Sequence, residues 1–258
     1  MTCITNPIWA LCHLGIRFPL ISAVAVSTYI YVGGDPGPMV AVTFDDGRKT
    51  VASVALPYMK ERGVVGTSYV TTDFISEEGR VDVPDLQRMV VAGWEIGSHG
   101  MTHEDMTTLS AEDLSTNLRG SKDILKEISK QSVASFASPY GSYNDATLGG
   151  IKKTYANHVD ADHGKDPNLG LNLAEGLDPY QVKRWDLTSD VTAAEVCERI
   201  RTLPDDSLYV ILFHDVRDDV VDKYVTRTET FEDIIDCIYE SGVDNVTVTQ
   251  GVERLKNK

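Results

Sequence analysis

Two short polar motifs in the sequence carry side chains that bind metal ions or move protons. Asp45 and Asp46 stand side by side after the apolar run Val40–Phe44, and His99 and His103 are four residues apart. Adjacent carboxylates beside a buried strand repel each other unless a cation or a proton lies between them. Histidines at i and i+4 can reach one metal ion if their segment is helical. Both motifs therefore indicate a metal site.

The two motifs together suggest a division of roles. Two imidazoles and one carboxylate form a facial ligand set that leaves positions open for water and substrate. Asp46 is the natural carboxylate ligand beside His99 and His103, which leaves Asp45 free to act as a base. Alone, the Asp-Asp-Gly run also suits a turn or a helix N-cap, and the histidines also suit an exposed surface. Their common position at the ends of predicted strands favours the metal site.

Two further motifs follow apolar runs. Ser138-Pro139-Tyr140-Gly141 follows a predicted strand and by itself reads as a turn. The run Tyr209–Phe213 leads directly into His214. A histidine in that position suits a general acid, because its unperturbed pKa lies near neutrality.

From Met39 onward, short apolar runs alternate with amphipathic stretches. The predicted strands are Met39–Phe44, Val64–Val70, Trp94–Ile96, Ser132–Ala137, Ala156–Asp160, Gln181–Trp185, Leu208–Phe213 and Val246–Val248. The predicted helices are Thr50–Arg62 with a kink at Pro57, Pro84–Ala92, Ser110–Lys130, Asp145–Tyr155, Thr192–Leu203 and Thr230–Ser241. This alternation predicts parallel βαβ units, and their number favours an α/β fold that closes as a distorted, TIM-like (β/α) barrel of about seven parallel strands.

Composition limits the classes of partner. The chain has 39 Asp and Glu against 24 Lys and Arg, a formal net charge of −15. Nucleic acid and anionic membranes both require a positive surface, so neither is an expected partner. A neutral or cationic substrate fits this charge, and so does adaptation of the surface to salt.

The N-terminal segment 1–37 differs in composition from the rest of the chain and allows several interpretations. Residues 8–32 are apolar and aromatic but are interrupted by His13, Arg17 and Pro19. A degenerate signal or membrane anchor, an ordered strand-helix extension, and a misassigned start all remain open. Any membrane contact is expected only through residues 8–32, and residues 38–258 are expected to form the catalytic domain.

The four cysteines show no paired spacing. Cys3 and Cys12 lie near the N-terminus, while Cys197 and Cys237 fall in helix-like segments. A free cysteine in such a segment usually behaves as a small apolar residue. We therefore expect neither a zinc finger nor a disulfide framework.

The ordered motifs resemble those of the polysaccharide deacetylases, also called NodB-homology domains or carbohydrate esterase family four. The matching segments are Thr43–Gly47, Ser98–His103, Ser138–Gly141 and Leu212–His214, and the resemblance spans roughly residues 38–255. It implies a distorted barrel and one divalent ion, with Zn²⁺ preferred and Co²⁺, Ni²⁺ or Mn²⁺ as alternatives. The implied reaction removes acetyl groups from N-acetylglucosamine units of chitin, peptidoglycan or poly-N-acetylglucosamine.

The resemblance also implies a role for each matching residue. Asp46, His99 and His103 bind the ion, Asp45 deprotonates the attacking water, and His214 protonates the leaving amine. The backbone N–H of Tyr140, beside Pro139, stabilises the oxyanion, and Leu212 lines the pocket for the acetyl methyl group.

The sequence departs from the family pattern at two places. Many members have an arginine two residues before the motif proline, paired with the base, whereas this chain has Ala137. Arg184 is our candidate for the missing cation, with an ordinary surface arginine as the alternative reading. The aspartate that orients His214 is open among Asp160, Asp162 and Asp186.

The implied activity leaves alternatives open. An O-acetyl esterase acting on xylan would use the same chemistry, and an inactive carbohydrate-binding domain is an alternative from another class. Tyr140, Tyr143 and Trp185 are candidate sugar contacts. The substrate class favours an extracellular or cell-surface location, but the unclear N-terminal signal leaves a cytoplasmic one open.

Overall fold

The computed structural model describes residues 37–163, 166 and 168–258, without the side chains of residues 162 and 163. The predictions for segment 1–37 therefore concern residues that, apart from Gly37, lie outside this range. In the described part of the chain, no helix is long and apolar enough to cross a membrane.

Twelve strands and seven α-helices make up the described part of the chain. The strands are β1 (Met39–Phe44), β2 (Gly66–Val70), β3 (Glu95–Ser98), β4 (Ser135–Ala137), β5 (Asn157–Val159), β6 (Asp162–His163), β7 (Leu171–Leu173), β8 (Trp185–Asp186), β9 (Ser207–Phe213), β10 (Asp215–Val216), β11 (Val225–Thr226) and β12 (Asp244–Asn245). The helices are α1 (Leu56–Glu61), α2 (Val83–Val91), α3 (Ala111–Ser129), α4 (Asp145–Thr154), α5 (Ala193–Arg201), α6 (Thr228–Ser241) and α7 (Val248–Lys256).

One curled sheet organises the fold. Its strands follow the order β5-β4-β3-β2-β1-β9-β8-β6, and every neighbouring pair on this path is parallel. β12 pairs with β1 in parallel, and β7 pairs with β9 antiparallel. A bridge between Val159 and Val182 links the far edge of β5 to the segment before β8. The predicted α/β fold with a distorted parallel barrel is confirmed.

Both faces of the central strands are covered, which explains their unbroken apolar sequences. All residues of β1 and β9 are buried. Along β1, Val40, Val42 and Phe44 belong to the larger core cluster, whereas Met39 and Ala41 belong to the smaller one. This alternation follows the two-residue period of a strand. It places successive side chains on opposite faces of the sheet.

Local signals account for most helix boundaries. Asp82 caps α2 in a capping box with Asp85, and the Ser110 side chain accepts from the N–H of Asp113 at the start of α3. At the predicted kink near Pro57, the helix is divided into a π-helical segment, Val51–Ala55, and the α-helix α1 that follows it. Proline cannot donate the next helical hydrogen bond, and a π-bulge accommodates that loss.

Two predicted strands were wrong in detail. Val246–Val248 is not the last strand, because Thr247 caps α7 in a capping box with Gln250. The Thr-x-x-Gln pattern was a readable signal for this helix. Gln181–Trp185 was predicted as a strand, but only Trp185–Asp186 pairs with β9, after a turn.

The expectation of free cysteines was also wrong. Cys197 on α5 and Cys237 on α6, 40 positions apart in sequence, form a disulfide with their Cα atoms 5.7 Å apart. Sequence spacing did not suggest the pair, because α5 and α6 are separated along the chain by β9 and pack together only in the folded protein.

We expect the disulfide to contribute measurably to stability. Closing a loop of this length restricts the unfolded chain, which in the entropic account stabilises the fold by about 2–4 kcal/mol. The double variant Cys197→Ser/Cys237→Ser should therefore lose that free energy of unfolding in urea. Wild-type protein measured with a reductant is the control and should match the variant. Equal stability of oxidised and reduced wild type would contradict the expectation.

Candidate metal centre and active site

The end of β1 places two carboxylates in different directions. The N–H of Asp45 still bonds to the carbonyl of Phe213, at 3.1 Å, so Asp45 continues the sheet. Asp46 then takes a positive φ of 69°, followed by Gly47 at 61°. A non-glycine residue rarely adopts this conformation without support. Arg80 supplies support by donating from Nη1 to the carbonyl of Asp46 at 2.8 Å.

His99 and His103 converge through a loop, not through the helix that the i, i+4 spacing suggested. Residues 99–103 contain no helix, and positive φ values at Gly100 (79°) and His103 (57°) turn the chain back. The ring centroids of the two histidines are 5.0 Å apart. His99 is buried, and its Nδ1 lies 2.8 Å from the carbonyl oxygen of Ala137. That carbonyl can only accept, so Nδ1 carries the proton and Nε2 is free to bind a metal.

Asp46, His99 and His103 form one donor set. Oδ1 of Asp46 lies 3.1 Å from Nε2 of His103 and 3.6 Å from Nε2 of His99, and the three ligand atoms lie within 4.8 Å of one another. Burial lowers the pKa of His99, which favours the neutral imidazole that metals bind. Burial alone would raise the pKa of Asp46, but the hydrogen bond from His103 and the nearby histidine charges hold it below its usual range. These side chains fit a divalent ion that accepts nitrogen and oxygen ligands.

Asp45 is paired with Arg184. Nη1 and Nη2 of the guanidinium lie 2.7 Å and 2.8 Å from the two oxygens of Asp45, and the side chains are 0% and 4% exposed. Burial would raise the pKa of Asp45, but the charge and hydrogen bonds of Arg184, together with the charges of His99 and His214, outweigh burial and lower the pKa. Nε of Arg184 also donates to the carbonyl of Asp160, and the guanidinium lies over the ring of Tyr69.

His214 lies on the other flank of the carboxylates. β9 pairs with β1 so that Phe213 faces Phe44, which places His214 next to Asp45 at the same sheet edge. Nδ1 of His214 is 3.4 Å from Oδ1 of Asp186, which is completely buried. Burial would lower the pKa of His214, but the hydrogen bond and charge of Asp186, together with the charges of Asp45 and Asp46, outweigh burial and raise the pKa.

The structure also narrows the choice among the three candidate partners of His214. Asp160 accepts from the backbone N–H of Arg184, at 3.1 Å, and the side chain of Asp162 lies outside the described part of the structure. Asp186 is therefore the aspartate that the structure places against His214.

The Ser138–Gly141 turn borders the donor set. The Tyr140 ring is 66% exposed and lies edge-on to His103, with centroids 4.7 Å apart. Its φ is 61°, and within the described part of the chain its backbone N–H makes no hydrogen bond to the protein. Pro139 is buried. A free N–H beside the Asp46, His99 and His103 donor set is suited to an oxyanion.

The remaining predicted site residues fall in different places. Leu212 is completely buried on β9, two residues before His214. Trp185 is 1% exposed, so it is a core residue and not a sugar contact. Tyr143 packs its ring against His158, 5.1 Å away.

Sequence reasoning overlooked two arginines that contact Asp46 of the donor set. Nη2 of Arg48 lies 3.2 Å from Oδ2 of Asp46, and Arg80 reaches the Asp46 carbonyl. Arg48 was detectable because it follows the Asp-Asp-Gly run directly. Arg80 lies 34 residues after Asp46 and had no sequence signal.

Comparisons with known proteins agree with this geometry. Residues 33–158 match the family described as polysaccharide deacetylase. The chain is 27% identical to a chitin deacetylase of Colletotrichum lindemuthianum over 87% of this chain and 83% of that protein. It is 30% identical to a poly-beta-1,6-N-acetyl-D-glucosamine N-deacetylase of Staphylococcus aureus over 60% of this chain and 61% of that protein. Several other curated relatives are matched over only 17% to 44% of their own length.

The fold has solved counterparts as well. A family 4 acetyl xylan esterase from Clostridium thermocellum, in complex with a cobalt ion, superimposes with a TM-score of 0.59 at 19% identity, covering 83% of this chain and 89% of that chain. Its sequence likeness is low, so this match concerns the fold. The sheet, the four ordered motifs and the sequence matches together confirm the resemblance to the polysaccharide deacetylases, whose family model matches residues 33–158 of this chain.

Proposed function

We propose that this protein is a metal-dependent hydrolase that removes acetyl groups from N-acetylglucosamine residues of a polysaccharide. One observation carries the proposal: the Asp46, His99 and His103 donor set lies beside Asp45, while His214 lies on the opposite side of the Asp45-Asp46 pair. Two histidines and a carboxylate next to a base and an acid are the parts that hydrolysis of an amide requires.

The ion that this donor set would hold is Zn²⁺, with Co²⁺, Ni²⁺ or Mn²⁺ as alternatives. When bound, such an ion acidifies water and polarises a carbonyl oxygen. Arg48 donates to Asp46 and Ala137 accepts from His99, so neighbouring groups orient two of the three ligands.

The surrounding residues would divide the proton transfers between them. Asp45, kept ionised by Arg184, accepts the proton of the attacking water. The backbone N–H of Tyr140 donates to the oxygen that becomes negative, and Leu212 borders the acetyl methyl group. His214, oriented by Asp186, donates a proton to the leaving nitrogen. Amide cleavage depends on that last step, because an amine anion is a poor leaving group.

The substrate class can be tested by acetate release. We expect release from chitin oligomers, peptidoglycan or poly-N-acetylglucosamine, and loss of release when a chelator removes the ion. Release only from acetylated xylan would support the O-acetyl esterase instead. No release from any of these glycans by ion-loaded protein would favour an inactive carbohydrate-binding domain. The presence of Asp45, Asp46, His99, His103 and His214 argues against that last outcome, since a binding domain does not need all five.

A change of Asp186 tests the proposed role of His214. A protonated His214 is the acid, so activity should fall as pH rises through its pKa. Asp186→Asn removes the carboxylate that raises this pKa, so the basic limb of the kcat–pH profile should move to lower pH. Wild type and variant are compared at equal metal content. An unmoved basic limb would exclude Asp186 as the group that tunes His214.

A further inference from the structure

A buried histidine outside the metal site holds the strand that leads into the oxyanion turn. His158 on β5 pairs with Phe136 on β4 and is completely buried. Its Nε2 lies 2.9 Å from Oγ of Ser138, and its Nδ1 lies 2.9 Å from the carbonyl oxygen of Tyr180. The carbonyl can only accept, so Nδ1 carries the proton and Nε2 accepts from the serine hydroxyl. Both ring nitrogens are therefore engaged.

A serine that donates to a histidine can act as a nucleophile, with the histidine as its base. Ser138 and His158 do not act in this way. Ser138 is 1% exposed and His158 is 0% exposed, so a glycan cannot reach the hydroxyl. Burial lowers the pKa of His158 to about 4, which keeps its ring neutral and accepting near neutral pH. The pair is suited to holding backbone in place.

The backbone that it holds is the turn carrying Tyr140. Two backbone hydrogen bonds close this turn. The N–H of Gly141 donates to the carbonyl of Ser138 at 3.0 Å, and the N–H of Ser142 donates to the carbonyl of Pro139 at 3.1 Å. Tyr140, between them, has a φ of 61°. A non-glycine residue keeps such a conformation only when its surroundings over-determine it. The hydrogen bond from Ser138 to His158 supplies one of these constraints.

The same strand end is also tied to the metal site. Ala137 accepts from Nδ1 of His99 at 2.8 Å, and the next residue, Ser138, donates to His158 at 2.9 Å. The bond between Ala137 and His99 thus fixes the turn relative to a proposed metal ligand, and the bond between Ser138 and His158 fixes it relative to β5. A shift of about 1 Å in such a group can cost about 100-fold in rate.

We propose that His158 is a positioning residue for the reaction. Through Ser138 it holds the turn in the conformation that presents the Tyr140 N–H to the reacting carbonyl. This inference rests on the proposed deacetylation for its catalytic part, whereas its structural part, the restraint on the turn, can be measured without activity.

Kinetics test the catalytic part. Ser138→Ala removes the donor and His158→Phe removes the acceptor while keeping an aromatic ring. Each should lower kcat by about 10- to 100-fold with KM and metal affinity little changed, because the Tyr140 N–H acts mainly on the transition state. The double variant should lose no more than His158→Phe alone, because both single variants break the Ser138–His158 bond and His158→Phe also removes the bond to the Tyr180 carbonyl. Ser129→Ala is the matched control, because Ser129 is a buried serine that bonds to Leu125 and Gln131 at the end of α3, away from the turn, and should keep wild-type kcat.

Amide hydrogen exchange tests the structural part. Exchange at Gly141 and Ser142, whose N–H groups close the turn, should become at least about tenfold faster in Ser138→Ala and remain unchanged in Ser129→Ala. Unchanged exchange in Ser138→Ala overturns the inference, and so does faster exchange with undiminished kcat. If wild-type protein releases no acetate from any glycan, the proposed function fails, while the exchange rates still decide whether the Ser138–His158 pair restrains the turn.

Discussion

Replacing Asp45 with asparagine should lower kcat for acetate release by about 100- to 10,000-fold, the range that a positioned base contributes. Asparagine keeps the shape of the side chain but cannot accept the proton of the attacking water. Metal content should stay at the wild-type level, because Asp45 is bonded to Arg184 and lies outside the Asp46, His99 and His103 donor set. The measurements are acetate release and bound metal per chain.

The neighbouring carboxylate provides a matched comparison. Asp46→Asn makes the same chemical change one residue later, at a proposed ligand. It should lower metal content together with activity, whereas Asp45→Asn lowers activity alone. Asp236→Asn, at a partly exposed pair with Arg62, controls for loss of an acidic side chain and should leave kcat unchanged. Undiminished acetate release by metal-loaded Asp45→Asn would show that the proposed mechanism is wrong.

Replacing Arg184 with methionine should destabilise the fold by about 3–5 kcal/mol, because it leaves a buried carboxylate without its partner. Arg184 is completely buried and makes two hydrogen bonds to Asp45. Arg62→Met is the control, since Arg62 pairs with Asp236 where both side chains are partly exposed. Loss of that pair should cost no more than about 1 kcal/mol. Denaturant unfolding measures both, and equal losses would contradict the buried pairing.

The effect of Arg184→Met should depend on pH in a defined direction. In wild type the lowered pKa of Asp45 stabilises the fold above the unfolded pKa of about 4, and this contribution is lost as pH falls through the folded pKa. In the variant, burial without the arginine favours a neutral Asp45, which needs no counter-ion. The difference in unfolding free energy between wild type and variant should therefore shrink as pH falls, first through the raised pKa of Asp45 in the variant and then through its lowered pKa in wild type. A difference that is constant from neutral to acid pH would exclude Asp45 as the charge involved.

The parts of the site that could be predicted are those carried by single strand ends. Asp45 and Asp46 follow β1, His99 and His103 follow β3, and His214 follows β9. Parallel strands of one sheet end at the same edge, so residues at these positions converge whatever the details of packing. For the same reason, the alternation of apolar runs with amphipathic stretches was enough to predict the barrel.

The tertiary structure decided which distant residues complete the site. Arg184 and Asp45 are 139 positions apart, and they meet because the strand order places only β9 between β1 and β8. Asp186 lies against His214 because β8 pairs directly with β9, whereas Asp160 accepts from the backbone N–H of Arg184. The pairing of Cys197 with Cys237 likewise depends on the packing of α5 against α6.

Sequence by itself thus determined the class of fold and the residues whose chemistry is local to a strand end. Its apolar periods and turn residues act over a few positions, and they determine where elements begin and which face is buried. Contacts such as Ser138 with His158, or Asp45 with Arg184, depend on strand register and sheet curvature. Those quantities result from the packing of the whole core, so only the folded structure specifies the groups that orient the proposed ligands, base and acid.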